Sequence, residues 1–451
     1  MAKKKSKLTS GKIVSHSFPN RTKAVNEEGE TISLKGGMVG QEVDILLTRT
    51  RKNNKKGRIL QVAKRADYER ESPCPHGEIC GGCSYQTISY EEESQLKKTL
   101  LEELFAEELE GAPLPYTKSN QELRYRNKME YTFGDEEKDG PLALGLHRKA
   151  RFHELVNTDH CLLVPEDMNT IRKATREFFD KKGVSFYHRM RHEGVLRHFV
   201  IRKARGTGEI LVNLVTTWTD MDLTEFVEML KNLELDGKIQ SIYHTETNDL
   251  ADAIKPEKVT LLWGEETIEE ELLGLKFHIG PFSFFQPNPW TAEIIYEKAR
   301  ALAGQEKGIV FDLYSGTGTI GQILAKEAEE VIGIEIVEEA VEQANRTAKE
   351  NGVENATFLA GDVLKVVDEL EKKPNLLVVD PPRDGIHPKA IGKLIAMESP
   401  RILYISCNPA TLKRDLDIFK AHGYKMDHLE AVDQFPRTIH VESVVLMSRT
   451  V

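Results

Sequence analysis

Gly308-Ile309-Val310-Phe311-Asp312-Leu313-Tyr314-Ser315-Gly316-Thr317-Gly318-Thr319 is an apolar, β-branched run that breaks into a Gly-x-Gly turn and continues as an amphipathic segment from about Ile320 to Glu329. The run reads as a buried strand and the segment after it as a helix. Two glycines in the turn open backbone conformations closed to other residues and let the chain approach a ligand closely. Alone this turn is a weak signal, because the full dinucleotide fingerprint is absent. A second strand, Val331-Ile332-Gly333-Ile334-Glu335, strengthens it, since its terminal carboxylate follows Gly316 by 19 residues. Nucleotide-binding folds place an acid at that distance to grip ribose hydroxyls.

Three more strands follow at the same rhythm. One ends at Gly361-Asp362, one runs from Leu376 into Asp380-Pro381-Pro382-Arg383, and Leu403-Tyr404-Ile405-Ser406 ends in Cys407-Asn408-Pro409. Strands near 309–314, 331–336, 356–361, 375–380 and 401–406 alternate with helix-length segments, which predicts a doubly wound parallel α/β sheet. Ligands of such sheets lie at the carboxyl edge of the strands, where Tyr314, Glu335, Asp362, Asp380 and Cys407 all fall. Asn408 is a favoured N-cap and Pro409 suits the first helical position, so the Cys407 thiol sits beside a helix N-terminus whose partial positive charge favours thiolate. A lone cysteine is more often a small buried hydrophobe. The company at this edge argues for chemistry instead.

Asp-Leu-Tyr-Ser-Gly-Thr-Gly-Thr at 312–319, Asp-Pro-Pro-Arg at 380–383, Ser-Cys-Asn-Pro at 406–409 and His-Val-Glu at 440–442 resemble the RNA uracil-5-methyltransferase family. The resemblance implies a Rossmann-like fold that uses S-adenosyl-L-methionine. Ser315 stands where the family often has cysteine, beside a cofactor cradled by backbone amides. Uracil C5 is too poor a nucleophile to attack a sulfonium methyl unaided, so a thiolate must first add to C6, and Cys407 resembles that nucleophile. The C5 proton must then leave, and Glu442 matches the family's base. His440 to Arg449 reads as a final strand; run antiparallel, as in this fold, it would begin at the active edge. By the same resemblance Glu335 binds ribose, Asp362 lies by the adenine, and Tyr314, Gly316, Gly318 and Thr319 line the cofactor pocket. Gln286, in Phe282-Ser283-Phe284-Phe285-Gln286-Pro287-Asn288, reaches the methionyl part. Asp380 either orients cofactor or contacts the uracil.

The other four cysteines stand apart: Cys74-x5-Cys80-x2-Cys83, then Cys161 after 77 intervening residues. Four thiolates can hold zinc or an iron–sulfur cluster, and His76 and His160 keep zinc open. The spacing resembles family members that carry a [4Fe–4S] cluster. Disulfides are disfavoured, because the lysine-rich start lacks the apolar core of a signal peptide and no segment could span a membrane. A cytoplasmic protein, acting as a monomer, is expected.

A net charge of −10 over 451 residues argues against a nucleic-acid binder, but its distribution reverses that: residues 1–66 carry a net +11 and the remainder −21. Strands at Gly11 to Val14, Thr22 to Val25, Glu42 to Thr48 and Gly57 to Val62 predict a small β-barrel in this basic module. It resembles the TRAM domain, an OB-like RNA-binding barrel, although Phe18-Pro19-Asn20-Arg21 replaces the usual glycine-rich turn. Arg49 to Lys56 would be a phosphate-binding hairpin or a solvated basic loop. The expected organisation is a multidomain chain: a barrel over 1–66, a central α+β domain with the cysteines over 67–280, and the methyltransferase domain over 281–451. A helix from Tyr90 to Glu110 is expected to pack on the catalytic domain, and Gly208 to Thr216 to pair with Leu196 to Arg202.

An amino-methyltransferase would follow Asp-Pro-Pro with an aromatic residue and needs no cysteine; an RNA cytosine-5 enzyme would carry a cysteine within that motif. A non-catalytic RNA-binding or folding protein would tolerate loss of Cys407 and Glu442, and both are present. Barrel and cysteines together look like the family's 23S ribosomal RNA branch, with a single-stranded or loop uridine as target and neither DNA nor membrane as partner. Transfer RNA is the alternative.

Overall fold

The structure is a computed structural model that describes residues 7–51, 54–149, 151–251, 253–304 and 308–450. The lysine-rich start before residue 7 and the tip of the basic hairpin, 52–53, lie outside the described residues.

Five strands, Lys7–Ser17, Arg21–Val25, Thr31–Lys35, Glu42–Arg51 and Asn54–Lys64, close into a barrel. Ile13, Ala24, Ile32, Leu34, Val43, Ile45 and Leu47 fill it. The strand Thr31–Lys35, absent from the sequence-based expectation, alternates exposed and buried residues along its length. It pairs antiparallel with Arg21–Val25 and parallel with Asn54–Lys64, which removes the sheet edges.

The middle of the chain forms a seven-stranded sheet, ordered Lys258–Gly264, Lys238–Glu246, Glu209–Thr216, Leu196–Lys203, Lys128–Asp135, Leu142–Arg148, Arg151–Asn157. Glu209–Thr216 pairs antiparallel with Leu196–Lys203, as expected. The helices Glu166–Lys181 and Thr224–Lys231 bury Met168, Ile171, Phe179, Phe226 and Leu230 against it.

The catalytic sheet has eight strands in the order Ala356–Ala360, Glu330–Glu335, Ile309–Leu313, Leu376–Val379, Arg401–Ser406, Glu442–Arg449, Tyr424–Val432, Tyr116–Thr117. The first five are parallel, and Glu442–Arg449 runs antiparallel to both neighbours. Two features depart from the sequence reading. Tyr116–Thr117, from the middle region, adds the last edge strand. The hairpin Ile268–Leu272/Leu275–Ile279, assigned by sequence to the central domain, packs Ile268, Leu272, Phe277 and Ile279 into the catalytic core. Helix Tyr90–Leu104, opened by the capping box of Ser89 and Glu92, ends earlier than expected and buries Leu101 in the opposite core layer. Among the described residues no helix is long and apolar enough to cross a membrane.

Candidate active site

At the end of strand Ile309–Leu313 three residues in the turn have left-handed backbones: Tyr314 (φ 64°), Gly316 (φ 53°) and Gly318 (φ 73°). A Cβ on Gly318 would also lie 2.6 Å from the Phe358 ring, so glycine is required there twice over. The turn is held open by Glu335, whose Oε2 accepts from the Gly316 N–H at 3.0 Å. Its Oε1 accepts from Ile336 and Val337 N–H at 2.9 and 3.1 Å. A carboxylate has about four acceptor positions, so the sugar-binding role expected of Glu335 stays open to it. Thr319 starts the helix Thr319–Leu324, and Asp362 caps Val363–Glu369 by accepting from Leu364 N–H at 3.0 Å. Beside this cradle, Phe284, Ile336 and Val337 expose apolar surface. Asp312, read only as part of a motif, lies under the turn: one carboxyl oxygen accepts from Gly321 N–H at 2.9 Å and the other has no partner among the described residues. Burial pushes its carboxyl up to about 8.

The second half of the site comes from strand register. Ser406 pairs with Ser443 across antiparallel strands, so one further step sets Cys407 opposite Glu442. Asp380 follows Val379 on the next strand, whose partner is Tyr404. The expected nucleophile, the expected base and Asp380 are thereby brought together. Burial, then Asp380, raises the Glu442 carboxyl well above the usual range, and burial pushes Asp380 up to about 7. The thiol corrects the sequence reading. Asn408 and Pro409 do form the N-cap and first residue of helix Pro409–Ala421. Even so, burial, then Glu442 and Asp380, push Cys407 up to about 12, with Arg383 opposing, so the free site holds a thiol.

Sequence reasoning missed the loop 433–441 that leads into Glu442. Gln434, fully buried, donates from Nε2 to Gln286 Oε1 at 3.1 Å, and Asn288 Nδ2 donates to the Gln434 carbonyl at 3.0 Å. Gln286 is thus fixed to the loop that leads into Glu442. Lys97, on helix Tyr90–Leu104, donates to Glu93 at 2.7 Å and to Asp433 at 2.8 Å, all three buried. Arg437 (φ 69°) donates its N–H to Glu93 at 2.7 Å, while its carbonyl accepts from Ser84 and Tyr85 at 2.8 and 3.2 Å. His440 accepts from Arg383 Nη2 at 3.0 Å; burial, then Arg383, Lys97 and Arg126, hold it down at about 4, so it is a neutral acceptor at neutral pH. Consecutive polar residues Asp433-Gln434 in a loop otherwise rich in apolar neighbours were the available signal.

Cys74, Cys80, Cys83 and Cys161 line one cavity of about 230 Å³, with His76, Gln86 and Arg126. Gln86 Nε2 donates to Cys83 Sγ at 3.4 Å. Burial drives Cys83 up to about 12 and Cys161 to about 11, each thiolate further opposed by the others. These two stay protonated until a positive centre enters. Among the described residues no three His, Cys, Asp or Glu side chains already form a group that could hold a metal ion.

One edge of the doubly wound sheet thus gathers a glycine turn, a strand-end carboxylate that holds it, and a thiol beside two buried carboxyls. A family model described as tRNA (Uracil-5-)-methyltransferase matches residues 263–450. An uncharacterized RNA methyltransferase of Clostridium tetani is 44% identical over 100% of this chain and 99% of its own length. One of Caldanaerobacter subterraneus subsp. tengcongensis is 43% identical over 94% of this chain and 95% of its own. The crystal structure of Pyrococcus abyssi tRNA (uracil-54, C5)-methyltransferase in complex with S-adenosyl-L-homocysteine superimposes with a TM-score of 0.76 at 26% identity, covering 97% of this chain and 99% of that one. This chain belongs to the RNA uracil-5-methyltransferase family.

Proposed function

We propose that the protein transfers a methyl group from S-adenosyl-L-methionine to uracil C5 in RNA, with Cys407 as nucleophile and Glu442 as base. The observation that carries this is the register that sets Cys407 opposite Glu442 with Asp380 beside them. When bound, the methyl donor supplies the sulfonium carbon. Gly316, Gly318, Thr319, Tyr314, Glu335 and Asp362 form its cradle, and Gln286, held by Gln434, borders its methionyl end. Cys407 passes its proton to solvent and its sulfur bonds to C6, while the C5=C6 electron pair shifts onto C5 and the adjoining carbonyl, which makes C5 nucleophilic. After C5 gains the methyl group, Glu442 removes the C5 proton, the C5=C6 double bond re-forms and the bond to sulfur breaks. A carboxylate raised by burial is a stronger base once ionised, which suits it to a carbon acid. Asp380 maintains the shared field and stays within reach of either ligand.

The target must be unstacked to reach the thiol, so a loop or single-stranded uridine is the substrate. We assign large-subunit ribosomal RNA on the pairing of a barrel with a four-cysteine cavity, the barrel acting as a TRAM-like RNA anchor and the cavity holding a [4Fe–4S] cluster. Transfer RNA is the second reading, favoured by the activity named for the Pyrococcus abyssi protein. Cys407→Ala should abolish both methylation and covalent complex. Glu442→Gln should trap methylated RNA on Cys407 through denaturing electrophoresis, and an adduct on another residue sinks the assignment. Mass spectrometry of ribosomal and transfer RNA from cells lacking the gene decides the substrate by where 5-methyluridine is lost.

A further inference from the structure

Among the buried cations, Lys97, Arg172 and Arg437 each meet a carboxylate, and Arg197 is tied to the carbonyls of Thr247, Asp249 and Ala251. Arg202 meets a single carbonyl and no carboxylate among the described residues. It is 3% exposed, its Nη2 donates to the Ser283 carbonyl at 2.5 Å, and its Nε has no partner among the described residues. Burial alone pushes it down to about 10. Directly across the antiparallel ladder from Arg202 stands Lys128, half-buried. Burial, then Arg202, pushes Lys128 down to about 8, with Arg126 adding and Glu130 opposing. Arg126 Nε is turned onto the Lys128 carbonyl at 2.9 Å, which keeps a third cation alongside. Like charges opposed across a ladder are destabilising, and a buried charge without a counter-charge costs several kcal/mol more. In a chain with net charge −10 this cluster is not the accident of a basic surface.

Its position says what it is for. Asn127, between Arg126 and Lys128, donates Nδ2 to the Gln286 carbonyl at 3.1 Å and its N–H to the Pro287 carbonyl at 2.9 Å. Arg202 holds Ser283 of the same segment. That segment carries Gln286 and the exposed rings of Phe282 and Phe284, and a Cβ on Gly316 would lie 3.9 Å from Phe284. On the other side Arg126 acts on His440, two residues before Glu442. The three cations therefore flank the reacting site.

We infer that Lys128 at the mouth and Arg202 behind it, with Arg126 alongside, form a pocket for a backbone phosphate of the RNA strand next to the target uridine. The inference rests on the RNA-methylating reading above and names how the strand is gripped. The phosphate supplies the counter-charge that the protein omits, and the flanking aromatic rings offer faces for neighbouring bases.

The test uses the full-length protein and single-stranded oligouridylate. Losing one phosphate contact should reduce the slope of log affinity against log salt by about 0.7. Arg202→Met and Lys128→Met should each show that reduction, with affinity down about tenfold. S-adenosyl-L-methionine binding should stay unchanged, and the thermal midpoint unchanged or higher because an uncompensated charge is gone. Arg202→Lys should keep the slope. Glu130→Gln, at an exposed position, should tighten oligouridylate binding two- to threefold by removing the acid that opposes the pocket. An unchanged slope in both methionine variants, or a lowered midpoint with unchanged slope, would show Arg202 to be a structural tie to Ser283 and overturn the inference. If wild type binds oligouridylate with the full slope yet methylates no RNA, the methylation reading fails while the phosphate pocket stands.

Discussion

Replacing Lys97 by methionine should damage both stability and turnover, because it removes the ammonium that neutralises Glu93 and Asp433. All three side chains are 2% exposed or less, so solvent does not screen the change. Burial alone would lower the Lys97 ammonium, and Asp433 and Glu93 more than offset it, leaving it raised. Removing one partner from such a buried pair costs about 3–5 kcal/mol, chiefly for the charge left behind. Methionine keeps the volume, so the loss is electrostatic rather than a cavity. Glu93 then binds more protons in the folded than in the unfolded protein, since burial already raises it and the opposing Lys97 is gone. Stability of the variant therefore falls as pH rises from the unfolded carboxyl range, about 4, through the raised folded value of Glu93. The deficit against wild type should be smallest near pH 5 and largest above neutrality in urea denaturation followed at each pH. Because Asp433 begins the loop that leads to Glu442, kcat should fall more than KM rises. Lys97→Met combined with Asp433→Asn should recover part of the loss, as contacting residues are non-additive. A single-variant loss below about 1 kcal/mol, or a double variant equal to the sum of the singles, would refute the argument.

Two further outcomes follow from the same electrostatics. Binding a sulfonium cation beside Asp380, raised to about 7, and the raised Glu442 should pull both down and release roughly half to one proton at pH 7. Calorimetry in buffers of different ionisation enthalpy reads this directly, and S-adenosyl-L-homocysteine, which lacks the positive charge, should release fewer; equal release from both ligands would remove the sulfonium as the cause. Anaerobically purified protein should contain iron and sulfide in near-equal amounts, as the four thiols of the 230 Å³ cavity require for a cluster. Stoichiometric zinc without iron would replace that assignment.

The alternation of apolar runs and amphipathic segments from Ile309 onward was enough to determine the doubly wound sheet, because each strand's period and each strand-end residue is a local property of the chain. It also set Tyr314, Glu335, Asp362, Asp380 and Cys407 at one edge, and an antiparallel last strand then brings Glu442 to the same place. What local pattern cannot carry is partnership across distance. Lys97 meets Asp433 336 positions away, Gln286 meets Gln434 148 positions away, and Tyr116–Thr117 completes a sheet whose other strands begin at Ile309. Nor can it carry burial: the helix N-terminus beside Cys407 is written in Asn408-Pro409, but the desolvation and the two carboxylates that outweigh it exist only once three strands are assembled. The sequence by itself determined which groups stand at the edge; the tertiary structure decided their charge, because proton affinity depends on water excluded and charges gathered by the whole fold.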